Sequence, residues 1–160
     1  MAISTGDSIP AATLRHLSAD GMEEVSTTAF FSDRKVVLFS VPGAFTPTCS
    51  AQHLPGFVQN ADAIKAKGVD EIICIAVNDA FVMDAWGKSQ NTGASVTLLS
   101  DGNGEFTQAL GLGLDGTGFG LGQRGQRFAM VVENGTVTHL AVEEPGAFEV
   151  SSAERILAAL

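Results

Sequence analysis

The sequence predicts an α/β protein whose mixed central sheet is covered by helices on both faces. Three observations carry that reading. Short apolar runs of strand length, Lys35–Ser40 and Glu71–Val77, alternate with helical patterns in mid-chain, which implies parallel strands joined by right-handed crossovers. Near the end, Arg127–Glu133 and Thr136–Val142 alternate about Asn134-Gly135, a strong hairpin signal that adds antiparallel strands. The chain has 160 residues, the length of one domain, and no linker, repeat or low-complexity segment divides it. Residues 1–160 are therefore read as a single domain.

Each element follows from local chemistry. Asp20-Gly21 is a turn signal between strands at Thr13–Leu17 and Met22–Ser26. Lys35–Ser40 is a buried strand, and the turn-rich Val41–Thr48 leads from it into a helical pattern starting at about Cys49. Pro55-Gly56 should break that pattern, with a second helix over Phe57–Lys67 stopped by Gly68. Glu71–Val77 is the next strand, and Asn78 or Asp79 caps a helix over Ala80–Ser89. A strand at Ser95–Leu99 and a short helix at Glu105–Leu110 come next. Ser151 with Glu154 forms a capping box for a last helix, Ala153–Leu160.

Composition excludes several function classes. Nine basic against eighteen acidic side chains give a net charge of −9, so neither nucleic acid nor an anionic membrane is an expected partner. Charged residues make up 17% and hydrophobic ones 45%, which argues for an ordinary core and against disorder. The longest apolar run, Ile72–Val77, is too short to span a bilayer. The first twenty residues lack the basic start and apolar stretch of a signal peptide, so a cytoplasmic, reducing location is expected.

Nine of the eighteen glycines fall between Gly102 and Gly125, including two GxGxxG strings at Gly111–Gly116 and Gly120–Gly125. Neither string follows a strand and opens a helix, as a dinucleotide site requires, so no cofactor is expected and the segment reads as a flexible surface loop. His16, His53 and His139 have no metal-ligand spacing with the two cysteines, and no metal is expected. Asn134-Gly-Thr136 is a glycosylation sequon in letters only.

The informative segment is VPGAFTPTCS, Val41–Ser50. Cys49 falls just after a strand, at the first turn of a helix, with no acidic residue between Phe39 and Ser50. Unpaired N–H groups and the helix dipole favour a thiolate there. Thr46 lies within turn reach of the sulfur, and Pro42 and Pro47 stiffen the approach. A buried, inert cysteine beside a proline-rich turn is the alternative. His53, four residues on, suits packing or hydrogen bonding better than a Cys–His hydrolase pair, which would need an orienting third group.

Pro42-x-x-x-Thr46-x-x-Cys49 resembles the peroxiredoxin active-site motif, and PGAFTPTCSAQHLPGF is similar to the atypical, type II branch. The likeness extends to GVDEIICIAVNDAFVMDAW (Gly68–Trp86) and RFAMVVENG (Arg127–Gly135), with Ala80 a departure where the branch often has proline. The resemblance implies a thioredoxin-like fold and an antioxidant enzyme of cell redox homeostasis that reduces hydrogen peroxide and alkyl hydroperoxides. By the same resemblance Cys49 is the peroxidatic cysteine, Thr46 the hydroxyl that contacts peroxide, Pro42 the shielding proline and Arg127 the arginine completing the site. Arg124, three residues earlier, is the competing arginine.

The resemblance also makes Cys74 a candidate resolving cysteine. Against that, Cys74 lies mid-strand, about three residues or ~10 Å below the strand end, whereas a disulfide needs Cα atoms within about 7 Å. Glutathione, glutaredoxin or thioredoxin would serve as reductant, with the first two ranked ahead. No cysteine follows Cys74 and the chain has no tyrosine, so the C-terminal resolving cysteine and Tyr-Phe tail of typical two-cysteine members are not expected. The branch suggests a homodimer whose face includes Phe45, Phe81 and Trp86, although all three also suit a core. A peroxide-sensing module with poor turnover and a non-catalytic interaction module are the alternatives to an enzyme.

Overall fold

The apolar runs become the middle of one seven-stranded sheet. A computed structural model describes residues 1–160, Met1 to Leu160. The elements in chain order are β1 (Thr13–Ser18), β2 (Gly21–Ser26), α1 (Thr27–Phe30), β3 (Lys35–Ser40), α2 (Leu54–Lys65), β4 (Glu71–Ala76) and α3 (Ala80–Ser89). They continue with β5 (Thr97–Ser100), α4 (Glu105–Leu110), β6 (Gly113–Asp115), β7 (Gln123–Gly125), β8 (Phe128–Glu133), β9 (Thr136–Val142) and α5 (Ala153–Ala159). The sheet order is β2-β1-β5-β4-β3-β8-β9. β3, β4 and β5 pair in parallel, and β8 joins β3 antiparallel with Phe39 opposite Ala129. The α/β architecture with a mixed sheet is the one expected from the sequence.

Alternation along the strands splits the core in two. Val37 and Phe39 of β3 and Ile72 and Cys74 of β4 face α2, α3 and α5, in one apolar cluster with Leu54, Phe57, Trp86 and Ile156. Val36, Leu38, Ile73 and Ile75 face the other way, against Phe31, Phe106 and Leu110. Phe39 and Phe57 stack at 4.0 Å, fixing α2 on the sheet. Burying a side chain of that size stabilises by about 1.5–3 kcal/mol. No helix is long and apolar enough to cross a membrane.

Four local expectations are corrected. Pro55-Gly56 does not interrupt a helix, because α2 starts at Leu54 and runs through both residues. The irregularity lies earlier, in a π-turn over Cys49–His53 closed by Leu54 N–H donating to the Cys49 carbonyl. Pro55 has no N–H to continue the preceding ladder, so it sits in the first turn of α2, where none is required. The last helix is capped by Ser152, whose hydroxyl oxygen accepts from Arg155 N–H, while Ser151 donates to Glu143 instead. β5 begins at Thr97 because Ser95 N–H closes a turn onto the Thr92 carbonyl. The glycine-rich segment is not a featureless loop: β6 and β7 form a two-stranded flap joined through a 3-10 turn at Thr117–Phe119.

Candidate active site

β3 ends at Ser40, and Val41 N–H donates to the Ile75 carbonyl at 3.2 Å, so the chain leaves the sheet beside β4. The turn that follows is held from within and without. Thr46 Oγ1 donates to the Gly43 carbonyl at 2.6 Å, and Ala44 N–H donates to Asn78 Oδ1 at 3.0 Å. Phe45 sits at φ 63°, a left-handed conformation unusual for a bulky residue, and the residue is 56% exposed. Ser50 N–H then donates to the Thr46 carbonyl, and Trp86 Nε1 donates to Ser50 Oγ at 2.9 Å. Trp86 is therefore an interior residue with a hydrogen-bonding role, not part of an exposed face, whereas Phe45 and Phe81 are exposed.

Cys49 is buried, and its sulfur accepts a hydrogen bond from Arg127 Nη2 at 3.1 Å. The other arm of the guanidinium, Nη1, meets His53 Nδ1 at 2.9 Å. His53 Nε2 in turn meets the Ser151 carbonyl at 3.0 Å. Arginine can only donate and a carbonyl only accept, so His53 must carry its proton on Nε2 and a lone pair on Nδ1. Burial and then the Arg127 charge push His53 down to about 3, against the opposing pull of Ser151 and Glu143. The imidazole is neutral, and it works as a rigid acceptor that fixes one arm of the Arg127 fork. Rings of Phe39 and Phe148 flank it with centroids 4.9 and 5.0 Å away.

The structure brings Arg127, not Arg124, to the sulfur. Arg124 Nε donates to the Leu121 carbonyl at 2.9 Å and Nη1 reaches the Pro42 carbonyl only at 3.5 Å. Thr46 stands in the same turn, but its proton goes to Gly43 and no hydrogen bond joins it to the sulfur, so only its oxygen lone pairs are free. Pro42 lines a cleft of about 410 Å³ together with Thr48, Leu114, Phe119, Arg127 and Pro145. A larger groove of about 620 Å³ near His16 and Lys88 contains neither cysteine nor arginine. The smaller cleft has Arg127 in its wall, while Cys49 lies fully buried behind it and is not part of the lining.

Cys74 is also buried and free, in the same apolar cluster as Cys49. Burial pushes its thiol well above the usual range, and the neighbouring Cys49 adds to that effect. No three His, Cys, Asp or Glu side chains converge as metal ligands would. Two residues of the site had no signal in the sequence. Glu143 and Ser151 stand behind His53, and neither lies in a motif or a periodic pattern that links it to Cys49.

Chemically, this is a sulfur held in an apolar pocket against an oriented cation. Such a fork stabilises negative charge on the sulfur or on an oxygen bound next to it. The Redoxin family profile matches residues 4–157. The chain is 50% identical to Peroxiredoxin-2D of Arabidopsis thaliana over 159 residues, covering 99% of this chain and 98% of that one. It is 41% identical to the hybrid peroxiredoxin hyPrx5 of Haemophilus influenzae, covering 98% of this chain and 66% of the relative. Among solved structures, reduced Prx3 of Vibrio vulnificus in complex with hydrogen peroxide superposes with a TM-score of 0.95 at 55% identity, over 98% of both chains.

Proposed function

This chain belongs to the type II branch of the peroxiredoxins, thiol-dependent peroxidases, and from that premise we propose that Cys49 reduces hydrogen peroxide and alkyl hydroperoxides. The Cys49 thiolate attacks one peroxide oxygen and the O–O bond breaks. Sulfur is oxidised to the sulfenic acid, while the second oxygen takes a proton and leaves as water or alcohol. The observation that carries this reading is the Arg127 fork, with Nη2 3.1 Å from the sulfur and Nη1 fixed by His53. A guanidinium already aimed at the sulfur meets the charge that develops on the oxygens during attack. Thr46 Oγ1 supplies acceptor lone pairs for the peroxide proton, and Pro42 limits water. The apolar Leu114, Phe119 and Pro145 along the cleft suit the hydrocarbon of an alkyl hydroperoxide.

Recycling is assigned to glutathione or glutaredoxin ahead of thioredoxin. A thiol attacks the sulfenic sulfur, water leaves, and a second thiol reduces the mixed disulfide. The support is Cys74, which is fully buried in the middle of β4 and pushed away from its reactive thiolate form by burial. A homodimer is part of the same reading, supported by the exposed apolar Phe45 and Phe81 on one molecule, as is a reducing compartment such as the cytoplasm. Peroxide turnover by wild type, Cys49→Ser and Cys74→Ser with each reductant tests the whole scheme. Cys49→Ser is expected to be inactive with every reductant, and Cys74→Ser to keep its glutathione-linked turnover. Activity retained in Cys49→Ser would overturn the assignment, and loss in Cys74→Ser with thioredoxin alone would make Cys74 the resolving residue.

A further inference from the structure

Glu143 is the last buried charge on the path that starts at Cys49. It follows β9 directly, is only 6% exposed, and lines the wall of the cleft above Arg127. Its backbone N–H donates to the Arg127 carbonyl at 3.0 Å, so the two residues are neighbours across the β8–β9 ladder. Its carboxylate faces away from Arg127 in bonding terms, because no hydrogen bond or ion pair joins them. Instead Oε2 accepts from the N–H groups of Glu149, Val150 and Ser151, each at 2.8 Å, and from Ser151 Oγ at 2.7 Å. Oε1 shares the Glu149 N–H at 3.0 Å.

Those bonds close residues 143–151 into a small loop tied at its neck by one carboxylate. The loop touches the site in three places. Pro145, Gly146 and Ala147 form part of the cleft wall, and the Ser151 carbonyl at the neck accepts the hydrogen bond from His53 Nε2–H. Phe148 in between packs on His53 at 5.0 Å and lies 5.8 Å below the Arg127 guanidinium carbon. We propose that Glu143 is a positioning residue for the peroxidase reaction: by pinning the Ser151 backbone it fixes the His53 ring, and through that ring the arm of Arg127 that is aimed at Cys49. The order of action is Glu143 to Ser151, Ser151 to His53, His53 to Arg127, and Arg127 to the sulfur. This inference rests on the reading of Cys49 and Arg127 as the reacting pair.

Three variants test it: Glu143→Gln, which keeps one acceptor oxygen but presents an amide N–H₂ to the Glu149 donor, Glu143→Ala, which keeps none, and Cys49→Ser as control. Two rates are compared on folded protein by stopped flow. Oxidation of Cys49 by hydrogen peroxide draws on a guanidinium aimed at both the sulfur and the peroxide oxygens, whereas alkylation by iodoacetamide draws only on its contact with the sulfur. Displacing a catalytic group by about 1 Å costs up to about 100-fold, so the peroxide rate should fall by tens-fold in Glu143→Ala and less in Glu143→Gln. Alkylation should fall by less than the peroxide rate in each variant, since it loses only the contact with the sulfur and not the aim at the peroxide oxygens. The ¹⁵N resonances of the His53 ring should move from a single fixed tautomer towards a mixture in both variants. Peroxide rates equal to wild type in folded Glu143→Gln and Glu143→Ala, equal losses in both reactions, or an unchanged His53 spectrum would overturn the inference. If Glu143→Ala does not fold, Glu143→Gln alone decides. Peroxide consumption by Cys49→Ser would instead sink the underlying site reading.

Discussion

Protonating His53 would set a second positive charge against Arg127 in a buried pocket, on the Nδ1 atom that now accepts the Arg127 hydrogen bond. Burial first, and the Arg127 charge second, hold the group down to about 3 from an ordinary value of 6.5. The unfolded chain takes up this proton below pH 6.5 and the folded chain does not, so acid favours unfolding. The stability tied to His53 is complete above pH 6.5 and drains away as pH falls towards 3. Between pH 7 and pH 5 the loss amounts to about 2 kcal/mol, at 1.36 kcal/mol per unit. Glu143 acts in the same direction at lower pH. Burial opposes its charge, but hydrogen bonds from Ser151, Glu149 and Val150 hold the carboxyl below its usual value, so its contribution is lost as pH falls through that lowered value. Urea unfolding at pH 7 and pH 5 checks the histidine part. Wild type should lose about 2 kcal/mol across that interval, and His53→Gln, with no ring to protonate, should lose far less. Parallel losses in the two proteins would contradict the assignment. At this scale the sequence was half legible. The spacing of Pro42, Thr46 and Cys49 is local, so it could be read directly. The partners of Arg127 lie 74 and 78 positions away along the chain, and no periodicity connects them.

Among the elements, legibility followed the source of the stabilising interaction. Lys35–Ser40, Ala80–Ser89 and Glu105–Leu110 have the bounds expected from apolar runs and caps, because burial and capping act within the segment itself. The π-turn at Cys49–His53 and the flap of β6 and β7 were not foreseen. The first depends on a missing proline N–H six residues beyond the cysteine, and the second on glycines whose roles differ one by one. Gly111 ends α4 at φ 72°, and a Cβ there would lie 2.5 Å from the Met1 carbonyl oxygen and 2.7 Å from the Ala2 Cα. The N-terminal segment is anchored at the same place, through Ile3 N–H donating to the Leu110 carbonyl at 2.8 Å. Gly118, in the 3-10 turn of the flap, has nothing within 4 Å and no left-handed φ. Gly111→Ala should therefore destabilise by at least about 1–3 kcal/mol, the usual range for a strained backbone position, with lower protection from hydrogen exchange at residues 1–4. Gly118→Ala should leave thermal stability within about 0.5 kcal/mol of wild type, as for other exposed sites. Equal effects of the two changes would show that the glycine excess is compositional and not positional.

Across the whole molecule, the two cysteines occupy different mechanical situations although they share one apolar cluster. Cys49 stands in a π-turn outside the sheet, where ordinary helical hydrogen bonding is already interrupted. Cys74 stands in β4, the central strand of the seven, with three strands on either side. Phe39 pairs with it on one side and Leu98 on the other, in two parallel ladders that also carry Ile73 and Ile75. Releasing Cys74 would require opening β3–β4 or β4–β5, and with it the surface on which α2 and α3 pack. Loosening the Cys49 turn requires no such rupture, so a small external thiol reaches the sulfenic acid at lower cost than Cys74 does. One equivalent of hydrogen peroxide, added without reductant, should then leave Cys49 trapped as sulfenic acid by dimedone while Cys74 still titrates as a free thiol after denaturation. The Cys74→Ala variant should trap dimedone at the wild-type rate. A Cys49–Cys74 disulfide formed faster than the dimedone adduct would mean that the sheet opens within a catalytic cycle, and the two parallel ladders around β4 would then have to be the mobile part of the fold.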